Sequence, residues 1–367
     1  MLNRTLIALS LLTIQLNAES IDMDNQSYPP QELTQMKRND VVSLNASLVL
    51  YKLLHDGTTY LVTNNDVANI PDRTIKQGKE KCVGAEYKPG FNVGFRIQPQ
   101  NDEFDYRASW TYYRSSVSSK TTTDGSNFVI EPTWLVPSLA DSPTFNNGDV
   151  GGTLVLINSL KADVSNITHW IDGDVGRYFR PLGTVWIGIR PHAGFRWFMT
   201  RDQLNLATQR SAVGGNINFE PFNDRSYLKN NYWGIGPRMG AQTEWGHKRL
   251  PEFQIYANAA AALILGEGNT TSFYEAPEVD PINPSALEFF SSHKHYNGRM
   301  MIDMEVGLMW ERIWDKLALA VKVGYENHHL HNGARLKRAI NESPGKLLRG
   351  HGDLQYSGFI FGARIDY

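Results

Sequence analysis

The chain alternates apolar and polar residues with a period of two, most plainly at its end. Between Leu354 and Tyr367, the residues Phe359, Phe361, Ala363, Ile365 and Tyr367 share one parity. Gly358, Gly362, Arg364 and Asp366 share the other. Successive side chains of a strand point to opposite faces, so this is a two-faced ribbon ending on an aromatic residue. A half-buried strand of a soluble sandwich has the same period, so this segment alone does not separate a sandwich from a membrane barrel.

The ribbon recurs upstream in pairs. Gly298–Arg312 and Lys316–Asn327 flank a tight turn at Ile313–Asp315. Asn231–Trp245 and Phe253–Leu265 flank the polar run Gly246–Leu250. A third pair, around Ile167–Phe179 and Val185–Trp197, flanks Arg180–Thr184, and a fourth, Phe91–Ile97 and Phe104–Tyr112, flanks Pro99–Asp102. An opening strand covers Ser43–Leu54. Long connections at His55–Lys88, Arg114–Asp163, Thr200–Lys229, Gly266–Tyr296 and His328–Asp353 separate the pairs. Short turns on one side and long loops on the other are the arrangement of an outer-membrane barrel. The expectation is therefore an all-β fold, an antiparallel transmembrane β-barrel of about ten strands. Twelve is the alternative if Arg114–Asp163 hides a hairpin near Phe128–Val136 and Thr153–Leu160. The closing ribbon is expected to lie against the opening strand.

Parity also predicts what faces inward. Gly94, Gly188, Gly194, Gly234, Gly236, Gly240, Gly307, Gly324, Gly358 and Gly362 stand on the polar side of their strands. Glycine there relieves the curvature of a small barrel or leaves the lumen empty. Charges of both signs alternate with them. Arg96, Arg107, Arg190, Arg196, Arg238, Glu244, Arg299, Asp303, Glu305, Lys322, Glu326 and Arg364 are the candidate lumen-lining residues, with Asp105, Asp172, Asp174 and Glu311 of the same parity. A charge on the lipid face would cost about 2–4 kcal/mol at the bilayer midplane, so confinement to one parity implies a polar interior. The pattern leaves two readings open. The charges line a channel, or they pair across the barrel and plug it.

Composition narrows the setting. Residues 1–18, with Arg4 ahead of a short apolar run and Ala18 at its end, read as a secretory signal; residues 19–42 read as a periplasmic linker and 43–367 as the barrel. No later segment is long and apolar enough for a membrane helix. Net charge is −2, which gives no basic surface for nucleic acid. Cys82 is the one cysteine, so no intrachain disulfide forms and its role is left open. Trp110, Trp186, Trp197, Trp233, Trp245, Trp310 and Trp314 lie in or beside the ribbons, as interfacial girdles require, although aromatics favour strands in general. No Gly-x-Ser-x-Gly elbow is present, and no catalytic constellation emerges, so an enzyme is not expected. His328, His329 and His331, with His293 and His295, cluster in the last loops; lacking spaced Cys or carboxylate partners they read as bystanders, and no metal or cofactor is expected.

Several blocks, in order, carry a family resemblance: Ala46–Lys52, His55–Asn65, Pro89–Arg96, Phe104–Tyr113, Asp174–Phe179, Arg190–Arg196, Trp233–Gly240, Val323–Asn327 and the closing strand. They resemble the Legionella-type major outer membrane proteins, a porin-like family also found in chlamydia-related bacteria. Two departures are the absence of a tryptophan before Lys52 and the terminal tyrosine in place of phenylalanine. The resemblance implies an exported outer-membrane barrel, a passive porin for small hydrophilic solutes or ions. The alternative is a structural or adhesive surface protein with a plugged barrel. It also implies contact with outer-membrane lipid and lipopolysaccharide, and recognition of the C-terminal strand by the barrel-assembly machinery. A homo-oligomer and host-surface ligands for the loops are left open.

Overall fold

In a computed structural model of the chain, the alternation resolves into strands throughout. The structure describes residues 41–56, 58–64, 78–99, 103–123, 129–132, 154–179, 185–213, 222–247, 249–276, 287–314, 317–334, 337–339, 347–349 and 352–367. The expected signal and almost all of the expected linker lie outside them. In chain order the strands are β1 (Val41–His55), β2 (Thr59–Asn64), β3 (Gly78–Cys82), β4 (Tyr87–Gln98), β5 (Phe104–Thr122), β6 (Val129–Pro132), β7 (Leu154–Arg177) and β8 (Val185–Val213). They continue as β9 (Phe222–His247), β10 (Leu250–Ala276), β11 (Leu287–Trp314), β12 (Leu317–Ala334), β13 (Lys337–Ala339), β14 (Leu347–Arg349) and β15 (Gly352–Asp366).

Ten of these close a barrel in the order β1-β15-β12-β11-β10-β9-β8-β7-β5-β4, and β4 returns to β1. Neighbours are antiparallel throughout. The closing ribbon pairs with the opening strand from Ser43↔Asp366 to His55↔Leu354, and the amide of Val42 donates to the Tyr367 carbonyl at 2.8 Å. Among the described residues, closure pairs every barrel strand with two neighbours across the apolar band, the condition for a sheet to stand in lipid.

The outward parity is apolar across a defined height. On β10 it runs from Phe253 and Ile255 to Leu263 and Leu265, all exposed. At roughly 3.4 Å per residue that is about 40 Å of strand. A tilt of about 40° reduces it to about 30 Å, the thickness of a bilayer's hydrocarbon core. Phe91, Phe95, Ile189, Phe195, Ile235, Met304, Val323 and Phe361 continue the band around the barrel.

The wall is uneven. β7 to β11 are 24, 29, 26, 27 and 28 residues long, against 15 for β1 and β15 and 12 for β4. This corrects the loop assignments made from sequence. Much of Arg114–Asp163, Thr200–Lys229 and Gly266–Tyr296 is strand, carrying the wall beyond the apolar band on the long-loop side. Those stretches lose the apolar-polar contrast because neither face meets lipid there. His328–His331 is strand too, at the end of β12. The hidden hairpin is also corrected: Leu154–Leu160 opens β7, whereas Val129–Pro132 joins a small sheet in the order β3-β2-β6.

That small sheet folds onto the inner face of the tall wall. Tyr60, Leu61 and Val83 pack with Leu160, Ala162, Val164, Leu204, Leu206 and Leu228, all buried. The Tyr60 hydroxyl bonds Ser119 and Thr121 of β5, each at 2.9 Å.

Candidate functional site: the barrel interior

The inward parity brings the charged residues of eight strands into one space. At the short-turn end, Arg190 is 1% exposed and its guanidinium bonds Asp105 and, at 2.7 Å, Asp174. Arg96 and Arg107 each approach Asp105 to 3.3 Å. One level further in, Arg196 binds Asp172 through Nε and Nη2 at 2.5 and 2.6 Å, and Nη1 donates to Asp303 at 2.9 Å. Arg238 lies 3.4 Å from Asp303 and 3.6 Å from Asp174. The His328 ring donates from Nδ1 to Asp303 at 2.8 Å and places Nε2 3.3 Å from Glu326. The Tyr51 hydroxyl donates to Glu326. Lys322 pairs with Glu305 at 2.8 Å, and Arg364 pairs with Glu311 at 2.7 Å.

Several of these bonds join strands that are not neighbours. Arg196 of β8 reaches Asp303 of β11, with β9 and β10 between them. Arg107 of β5 donates to Gln242 of β9 at 2.6 Å. Such bonds are chords across the lumen rather than a lining along it. Tyr178, just beyond the end of β7, accepts from Arg107 and donates to Glu244 at 2.9 Å. Burial pushes its phenol up, and the Glu244 carboxylate adds to the rise.

Above the ionic layer lies an apolar one. Tyr51, Tyr113, Trp170, Phe198, Tyr232, Met301, Leu330, Leu354 and Tyr356 are no more than 2% exposed and form one cluster with Val49, Ile264 and Ile360. Every barrel strand except β4 contributes. Trp170 of β7 sits 5.0 Å from the His328 ring of β12 and 6.0 Å from the Tyr356 ring of β15. Tyr356 and Thr168 share a hydroxyl bond of 2.8 Å, again across the lumen. Arg299 closes the layer on one side, its guanidinium 3.6 Å from the Tyr232 ring centroid and its Nη1 donating to the Gly333 carbonyl at 3.0 Å. Arg196 stands 6.0 Å from the Trp170 ring and ties the two layers together. A cavity of about 230 Å³ remains within the ionic layer, bordered by Asn45, Asn92, Arg96, Arg107, Asp303 and Lys322 and reaching Tyr51 and Trp170.

The structure therefore puts all twelve candidate residues, Arg96, Arg107, Arg190, Arg196, Arg238, Glu244, Arg299, Asp303, Glu305, Lys322, Glu326 and Arg364, inside the barrel. Most are cross-linked. The apolar layer is what parity reasoning missed, although its signal was present. Trp170 stands two residues before Asp172, Phe198 two after Arg196, Tyr232 two before Gly234 and Tyr356 two before Gly358. Each continues the polar parity of its strand, but its apolar character hides it from a search for polar residues.

This geometry has likenesses among known proteins. A sequence model of the family described as Legionella pneumophila major outer membrane protein precursor matches residues 40–367. A search of curated proteins gives no match. Among solved structures, the outer membrane protease OmpT from Escherichia coli is similar at 10% identity, over 94% of this chain and 99% of that one, with a TM-score of 0.37. A major outer membrane protein from Thermus thermophilus is similar at 9% identity, over 89% and 99% of the two chains, with a TM-score of 0.27. A Pseudomonas aeruginosa FadL homologue follows at 8% identity, over 90% and 91%, with a TM-score of 0.23.

Proposed function

Because the chain belongs to the Legionella major outer membrane protein family and is an outer-membrane β-barrel, we propose that it serves as a closed-lumen surface protein. In this reading the membrane-embedded half is a rigid anchor, and the tall wall of β7 to β11 with its small inner sheet is the working surface. The observation that carries the proposal is the layer of inward Tyr, Trp, Phe, Met and Leu side chains, to which water has almost no access. A ten-stranded barrel is narrow to begin with. Chords such as Arg196–Asp303 and Thr168–Tyr356 then occupy its cross-section at two heights.

A passive pore for small hydrophilic solutes or ions is the competing reading, and it needs this layer to move aside. Purified protein in planar bilayers separates the two. The closed reading expects no steady conductance from the wild type, and conductance steps once Trp170 and Tyr356 are both replaced by alanine. Steady single-channel steps from the wild type, across salts and voltages, overturn it. Contact with lipopolysaccharide around the apolar band and recognition of the β15 terminus by assembly machinery are part of the same proposal. Catalysis is not.

A further inference from the structure

Two histidines and a carboxylate converge on the outer wall, away from the lumen network. His329 and His331 stand two residues apart on the outward parity of β12, and Asp353 stands on the outward parity of the adjacent β15. Asp353 Oδ2 lies 3.0 Å from His329 Nε2 and 3.3 Å from His331 Nδ1. The two rings are 4.4 Å apart at their centroids, and the candidate donor atoms all lie within 4.8 Å of one another.

Local backbone irregularity brings them together. The β12–β15 register shifts between Leu330 and Ala334, and Asn332 takes φ 54°, the left-handed region that a non-glycine side chain rarely enters. That turn aims the Asn332 amide at Asp353 Oδ1, to which it donates at 2.8 Å. One carboxylate oxygen is thus held by the backbone, and the other is left facing both imidazoles. Orientation of a ligating carboxylate by a second hydrogen bond is a recurrent feature of metal sites.

We propose that His329, His331 and Asp353 bind a divalent transition-metal ion, with Zn²⁺ as the probe of first choice. Zn–N and Zn–O bonds of about 2.0–2.2 Å at near-tetrahedral angles separate ligand atoms by about 3.4 Å. The observed 3.0 and 3.3 Å need little adjustment to reach that spacing. The ligand set of two imidazoles and one carboxylate suits Zn²⁺ and other borderline ions rather than Ca²⁺ or Mg²⁺, which take oxygen. Three protein ligands leave a coordination position open. His329 and Asp353 also border a cleft of about 320 Å³ shared with Lys52, Asp56 and Cys82, so an outside ligand has access to it. All three side chains are half-buried, reachable by an ion yet restrained. The apolar faces of β12 and β15 end at Tyr325 and Phe359, so the site lies just beyond the band, at the level of lipid headgroups. A bound ion would also staple the two strands next to the closure of the barrel.

The test uses the full chain, purified and folded in detergent micelles, titrated with Zn²⁺ against a chromophoric chelator. One site per chain is expected, together with slower heat unfolding when Zn²⁺ is present. His329→Gln/His331→Gln and Asp353→Asn should each lose at least tenfold in affinity and lose the thermal effect. His247→Gln, at the opposite rim, should lose neither. Co²⁺ in place of Zn²⁺ should give visible-region absorption in the wild type alone. Unchanged Zn²⁺ affinity in the double-histidine variant, or a wild type that binds no more tightly than that variant while both run as folded barrels, overturns the proposal.

Discussion

The lower and upper layers of the lumen solve one problem, filling a narrow tube, with opposite chemistry. In the lower layer Arg190, Arg196, Asp105, Asp172 and Asp303 are buried as ions, each meeting two or more partners. In the upper layer Tyr113, Trp170, Phe198 and Tyr232 are buried as rings, and the two tyrosine hydroxyls bond backbone carbonyls. Ion pairs lose solvation on burial and recover it only through complete pairing, so the lower layer is intolerant of losing any one member. Ring packing is spread over many small contacts, so the upper layer should yield more gradually. The lower layer joins charges of facing strands; the upper layer leaves water almost no access.

This contrast can be broken in order of expected effect. Arg196→Met removes the closest cation that Asp172 and Asp303 share, leaving Arg238 at 3.9 and 3.4 Å, and should destabilise the folded barrel by about 3–5 kcal/mol. The measurement is the urea midpoint of the folded, faster-migrating gel band. Adding Asp172→Asn and Asp303→Asn to that variant should recover much of the loss; no recovery would mean the arginine acts by packing alone. Next is Gly236→Ala. A Cβ there would collide with the Leu263 carbonyl oxygen, so β9 and β10 must part. A loss of about 1–3 kcal/mol is expected, read by the same titration. Tyr356→Phe removes the hydroxyl bond to Thr168 from the upper layer and should cost about 0.5–1.5 kcal/mol, because Thr168 keeps Asn166 and Thr200 as partners. A larger loss from Tyr356→Phe than from Arg196→Met would reverse the ranking of the two layers. Smallest is Lys161→Met, which breaks an exposed 2.9 Å pair with Asp163 on the tall wall. It should cost no more than about 1 kcal/mol, and less at high salt.

Much of the fold was legible because lipid imposes its own contrast. Where the outside is hydrocarbon and the inside is charged, as at Met300–Trp310, parity marks each strand and its orientation. That contrast yielded ten strands, their hairpin pairing and all twelve interior candidates. It failed where the contrast vanishes. In the upper wall both faces meet water or protein, and Thr200–Val213 reads as loop although it is strand. In the upper lumen the inward residues are themselves rings, and only shared parity with Asp172 and Gly234 marks Trp170 and Tyr232 as inward. The histidine cluster failed for another reason: Asp353 is 22 positions from His331, and only the β12–β15 pairing with its irregular end makes them neighbours.

The sequence by itself determined that this chain closes a β-barrel in an outer membrane, because a two-residue period with one lipid-compatible face has few other stable outcomes. It also determined which charges turn inward. Whether those charges pair within one wall or across the lumen was decided only by the tertiary structure. That answer depends on the barrel's diameter and on the distance between strands on opposite walls, such as β8 and β11, and no local pattern encodes either. Arg196 reads the same in both cases; what differs is that Asp303 stands 2.8 Å away across the lumen.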